Sequence, residues 1–158
     1  MKRKNKGFSM VELIIVIAIM AVLAAALAPQ LIKYVRKSRR TRDIDSANEI
    51  CKAYERAAVP MSDVADDEDD DSDGDGILTS VFRYDTSFND PPTDIEDYVY
   101  IELGGIPDIA TYKDYYWYVE YKKENGHVSK VAVSPNSTGS NLIEVYPDSN
   151  TYLEQGTN

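Results

Sequence analysis

Gly7-Phe8-Ser9-Met10-Val11-Glu12-Leu13 opens the stretch that decides how this chain folds. Behind it, Leu13 to Ala28 is an unbroken run of 16 apolar residues, interrupted by Pro29 and Gln30 and resumed by Leu31 and Ile32. From Phe8 to Ile32, 21 of 25 residues are apolar. At ~1.5 Å of rise per residue such a helix is about 37 Å long, enough for a hydrocarbon core of ~30 Å. In front of it stand Lys2, Arg3, Lys4 and Lys6. Three readings fit a cationic start before a greasy run. A cleaved secretory signal would use Ala24-x-Ala26 or Ala26-x-Ala28, but Pro29 directly follows the second site and Glu12 interrupts the apolar region. A plain transmembrane anchor tolerates Glu12 by snorkelling near its end. The third reading takes Gly7, Phe8, Glu12 and Pro29 together.

Composition narrows the classes. The chain has 158 residues, 43% of them hydrophobic and 28% charged, with a formal charge of −10. Ten of the 17 Lys and Arg precede residue 43, whereas 26 of the 27 acids follow residue 42. A basic, apolar start and an acidic body suit a membrane-associated N-terminus with a polar head. No nucleic acid is expected on that head, which would repel phosphates. The single cysteine, Cys51, has no partner for an internal disulfide, and the single histidine, His127, removes most His-based catalytic and metal sets. No nucleophile–base constellation is present, so no enzyme is expected.

The N-terminal stretch resembles the class III signal peptide of the type IV pilin and type II secretion pseudopilin family. That pattern is a basic leader ending in Gly, an aromatic residue, a Glu four residues on, and a long apolar helix with a late Pro. Here these are Gly7, Phe8, Glu12 and Pro29, and the resemblance covers about residues 1–55. It implies that a prepilin peptidase cuts between Gly7 and Phe8 and N-methylates the new Phe8 amine. It implies a filament whose core is a bundle of these helices. It also implies an assembly ATPase and a platform protein as partners, a single-pass membrane state before assembly and an extracellular pilus after it.

Glu12 then acquires a physical role. A carboxylate at a bilayer centre costs roughly 2.5–3.5 kcal/mol on insertion scales and is tolerated best beside a cation. Cleavage creates one, the α-amine of Phe8, one helical turn away. In a stack of parallel helices Glu12 of one subunit meets the Phe8 amine of a neighbour, neutralising both and fixing the axial step. A Glu12 held at headgroup level is the plainer alternative. Pro29 removes one backbone hydrogen bond, predicting a kink or loosened helix near Ala25–Ala28. The resemblance adds that this stretch unwinds on leaving the membrane, while Ala24, Ala25 and Ala26 allow close packing. Lys33, Arg36, Lys37, Arg39, Arg40 and Arg42 follow the apolar run, so the charge rule for topology chooses no orientation. These cations suit anionic headgroups, acidic neighbours in a filament, or plain solvation.

Ile44, Ala47, Cys51, Tyr54 and Ala58 recur at helical spacing, so residues 33–58 are expected to continue the helix as an amphipathic half until Val59-Pro60. Residues 59–92 read as an acidic variable loop, since Ser62 to Gly76 holds nine acids. Within it Asp71-Ser72-Asp73-Gly74-Asp75-Gly76 matches half of a calcium loop, and Asp69, Asp71, Asp73 and Asp75 are the candidate Ca2+ ligands. Phe82 stands where the bidentate Glu of an EF-hand belongs. The run therefore reads either as a solvated loop or as a Ca2+ site, and no cofactor is required.

Residues 93–158 should form the head. Thr93-Asp94-Ile95-Glu96 resembles a capping box and Gly104-Gly105 a stop, bounding a helix over 94–103, although Tyr98-Val99-Tyr100-Ile101 also alternates like a strand. Tyr115–Tyr121 and His127–Val133 read as strands joined by a tight Asn125-Gly126 turn, with Leu142–Tyr146 as a third. The expected class is α+β: a long N-terminal helix, half transmembrane and half amphipathic, packed on a small antiparallel sheet in the pilin manner. The domains read as 1–7 leader, 8–32 membrane and filament-core helix, 33–58 amphipathic continuation, 59–92 loop and 93–158 head. The resemblance implies, in Gram-negative members, a C-terminal disulfide whose two cysteines this chain lacks, which points to a Gram-positive or otherwise disulfide-free pilin. The function expected is a major pilin serving adhesion, motility or DNA uptake. The alternatives are a pseudopilin of a secretion or competence system, or an anchored calcium- or ligand-binding surface protein.

Overall fold

The computed structural model describes residues 7–61, 76–83, 94–122 and 125–154. The chain forms two units, residues 1–36 and 37–158, and helix α1, Met10–Met61, contributes to both.

In the first unit the whole apolar run of α1 is exposed, from Met10 and Val11 through Leu31 and Ile32. A helix apolar all round belongs in lipid or among other helices. Among the described residues it is the one helix long and apolar enough to cross a membrane. The helix runs unbroken through Ala25–Ala28 and Pro29, so no unwound stretch is seen where the proline predicts loosening. The absent proline N–H removes one bond among many, too little to open the helix locally.

In the second unit α1 turns amphipathic. Asp43, Ala47, Ile50, Tyr54 and Ala57 are buried at alternating spacings of four and three, one stripe of a helix. Ile44, expected on that stripe, packs at its edge. The helix ends at Met61, beyond the boundary expected at residue 58, because Pro60 in the last turn costs it only one hydrogen bond.

The stripe packs on a four-stranded antiparallel meander in the order β1-β2-β3-β4, formed by Ile77–Phe82, Tyr116–Lys122, Val128–Ser134 and Ile143–Tyr146. Trp117, Val119 and Tyr121 of β2 face inward, and Tyr54 of α1 tilts over Tyr121 with ring centroids 4.7 Å apart. Register matches inward residues across strands: Phe82 opposite Trp117, Ser80 opposite Val119, Leu78 opposite Tyr121. Val131 and Val133 of β3 continue the layer opposite Val119 and Trp117. Tyr116 and Tyr118 therefore point to the outer face. There Arg83 lies 5.0 Å from the Tyr116 ring and Lys130 lies 5.9 Å from the Tyr118 ring.

Strand β1 lies inside the 59–92 segment read as loop. Its Leu78, Ser80 and Phe82 alternate inward, but the serine in the middle weakens the apolar signal. Helix α2, Ile95–Leu103, resolves the helix-or-strand ambiguity at Tyr98–Ile101. Asp94 caps it by accepting the Asp97 N–H at 2.8 Å, and Gly104 ends it in the left-handed region at φ 66. The Gly104 and Gly105 N–H groups reach back to Ile101 and Tyr100 oxygens, a Schellman ending. The hairpin between β2 and β3 is wider than the two-residue turn expected from Asn125-Gly126. Lys122 O accepts the Gly126 N–H at 2.9 Å and Lys122 N–H donates to His127 O at 2.9 Å. Helix α3, Ser149–Glu154, occupies the polar tail, with Asp148 accepting the Thr151 hydroxyl at 2.8 Å.

Candidate processing and assembly segment

Ser9-Met10-Val11-Glu12 is an S-x-x-E pattern standing directly before an apolar run. The structure uses it as a capping box. The Ser9 N–H donates to Glu12 Oε2 at 2.8 Å, and Ser9 Oγ accepts the Val11 N–H at 3.3 Å. The carboxylate thus sits at the positive end of its own helix, where the axial dipole favours it. Sequence reasoning assigned Glu12 by its place in an apolar run and overlooked Ser9, although the spacing of the two residues carried the signal.

Phe8 is 91% exposed, ahead of the first helical turn. Gly7 has nothing within 4 Å of where a Cβ would stand, so no packing in this chain demands glycine there. Any need for a residue without a side chain at position 7 comes from outside the molecule. The Gly7–Phe8 bond is accessible, and Phe8, Ser9 and Glu12 lie together within one turn. Pro29 lies 17 residues beyond Glu12, about 26 Å along the axis at ~1.5 Å per residue. The four aspartates named for Ca2+, Asp69, Asp71, Asp73 and Asp75, lie outside the described residues. Among the described residues no group of three or more His, Cys, Asp or Glu could hold a metal ion.

The second unit holds one buried polar centre that sequence reasoning missed. Asp43 is fully buried on α1 and accepts three hydrogen bonds, from Ala110 N–H at 2.6 Å, Thr111 N–H at 3.1 Å and the Tyr152 hydroxyl at 2.7 Å. It ties helix, loop 108–115 and C-terminal helix α3 together. Burial, with the Asp43 carboxylate behind it, pushes the Tyr152 hydroxyl far above the usual tyrosine range. A sequence signal existed, since Asp43, Ala47, Ile50 and Tyr54 share one helical stripe. Its surrounding arginines made it look solvated. Cys51 is buried as expected. Burial first, then the charge of Glu55, raises its thiol to about 12, far from a reactive thiolate.

Beside this centre runs a groove of about 740 Å3, lined among others by Arg39 and Arg42 of α1 and by Thr111, Tyr112, Lys113 and Tyr115. Tyr112 and Tyr115 stack with centroids 4.8 Å apart and planes 17° from parallel.

Comparison with known proteins speaks to the N-terminus. The family model described as the prokaryotic N-terminal methylation motif matches residues 2–28, a span that contains Gly7, Phe8 and Glu12. No curated protein and no solved structure matches the chain. The N-terminal segment thus carries the class III signal peptide motif of type IV pilins and pseudopilins, the motif that a prepilin peptidase cleaves in pilins. A motif of this kind implies a structural rather than a catalytic protein, and its apolar helix fits membrane anchoring before assembly.

Proposed function

We propose that this chain is the major structural subunit of a type IV pilus, polymerising through residues 8–57 into a surface filament for adhesion, motility or DNA uptake. The carrying observation is the methylation motif over residues 2–28, set on a helix whose apolar run is exposed on every side. In this reading a prepilin peptidase removes residues 1–7 and methylates Phe8. An assembly ATPase and a platform protein then move the subunit from membrane to extracellular fibre. Glu12 leaves its own cap, or shares it, to meet the methylated amine of a neighbour. The acidic stretch 62–76 favours a surface fibre over a pseudopilin, whose short polymer stays within the envelope.

Intact mass of sheared surface material, read beside electron microscopy, tests this. The expected result is fibres built of a chain beginning at Phe8 and carrying one added methyl group. A processed chain that builds no surface fibre is a pseudopilin. A solitary chain that keeps residues 1–7 is an anchored monomer.

A further inference from the structure

Polymerising this chain raises a charge problem. Without residues 1–7 it keeps 13 Lys and Arg against 27 acids, a formal charge of −14, with nine acids in residues 62–76. Packing such copies side by side is opposed by self-repulsion unless acids of one meet cations of the next. Six of the 13 remaining cations fall between residues 33 and 42.

The second unit shows where such a meeting fits. Arg39 and Arg42 from α1 and Lys113 from loop 108–115 line the same groove, together with the stacked Tyr112 and Tyr115. Among the described residues none of these three cations has an ion-pair partner. Asp43, the acid nearest the two arginines in sequence, is turned inward and saturated by three donors. Asp108 and Asp114 also line the groove and leave its rim with one net positive charge. Exposed, unpaired guanidinium groups favour carboxylates, which they can grip with two parallel hydrogen bonds. The tyrosine hydroxyls add donors beside them.

We propose that the groove bounded by Arg39, Arg42 and Lys113 receives the acidic stretch 62–76 of a second copy in the filament. The inference rests on the polymer reading above and adds the contact that lets heads of one sign pack together. It makes the acidic stretch an assembly element, and it predicts fibres that loosen as salt rises.

The test is a cross-link in trans. One tagged chain carries Lys113→Cys and a co-expressed chain carries Asp71→Cys, while the buried Cys51 stays out of reach. On mild oxidation of sheared fibres the expected result is a disulfide-linked heterodimer. It should exceed a Lys113→Cys with Asp148→Cys control by about tenfold, and Arg39→Glu/Arg42→Glu/Lys113→Glu should lower fibre yield by about as much. A heterodimer no more abundant than in that control overturns the proposal. So does a charge-reversed chain that polymerises normally but loses retention on phosphatidylglycerol vesicles, which would give the groove to a lipid headgroup. Failure of the underlying reading looks different: wild type itself would give no fibre.

Discussion

The hydroxyl of Tyr152 donates to the carboxylate of Asp43 at 2.7 Å, joining the last helix of the chain to the first across 109 residues of sequence. Both side chains are fully buried. The carboxylate also holds the Ala110 and Thr111 N–H groups, so a single residue of α1 fixes the loop that walls the groove.

Removing either end should have unequal effects. Tyr152→Phe deletes one of three donors and should cost about 1 kcal/mol, whereas Asp43→Ala orphans the buried Tyr152 hydroxyl and two part-buried N–H groups and should cost about 2–3 kcal/mol. Urea unfolding of the full chain in detergent, followed by the near-ultraviolet signal of Trp117, measures both. Equal losses would show that the pair matters only through the tyrosine.

The capping box separates two uses of Glu12. Ser9→Ala removes the Ser9 Oγ contact to the Val11 N–H but leaves the carboxylate, and should weaken the helix end by about 1 kcal/mol with filament yield little changed. Glu12→Ala removes both the cap and the charge. It should still insert in the membrane yet assemble poorly, read as sheared fibre per cell. Normal fibres from Glu12→Ala would leave the carboxylate with the cap alone.

Alkali should destabilise the head. Burial raises the Cys51 thiol from its ordinary 9.0 to about 12, and burial also lifts the Tyr54 and Tyr152 hydroxyls. Groups that hold their protons more tightly in the fold than in the open chain stabilise it fully below their unfolded values. That stabilisation drains away as pH climbs from about 9 through 12. Circular dichroism against pH should show the loss in that window. At pH 8 a thiol reagent should label Cys51 only after denaturant is added.

Gly139 should resist substitution. It sits at φ +67, and a Cβ there would stand 2.7 Å from the Tyr118 ring on the outer face of the sheet. Gly139→Ala should cost about 1–3 kcal/mol through overpacking, since the backbone must move with the ring. A thermal midpoint unchanged from wild type would show that the turn over Tyr118 gives way freely.

How legible each part was follows from how local its cause is. The signal peptide is written in residues 7–12 and needs no partner, so it was plain. The amphipathic half of α1 and strands β2 and β3 declared themselves by periodicity. Strand β1 did not, because Ser80 occupies an inward position opposite Val119 and nine acids precede it. Asp43 shares a helical stripe with Ala47, Ile50 and Tyr54, but its partners could not be read. Its three donors come from residues 110, 111 and 152, and no local pattern announces a carboxylate that is satisfied from so far away. The Asn125-Gly126 dipeptide misled in the other direction: it promises a two-residue turn, but Lys122 closes on Gly126 and His127 instead.

The all-round apolar surface of α1 between Met10 and Ile32 would be costly to leave in water. Ten of the 16 consecutive apolar side chains from Leu13 to Ala28 are larger than alanine, and setting these free in water would cost on the order of 15 kcal/mol, at roughly 1.5 kcal/mol each. On the proposed reading, growth and dismantling of the fibre are exchanges between two dry surroundings, and a subunit released at the fibre's base would return to lipid.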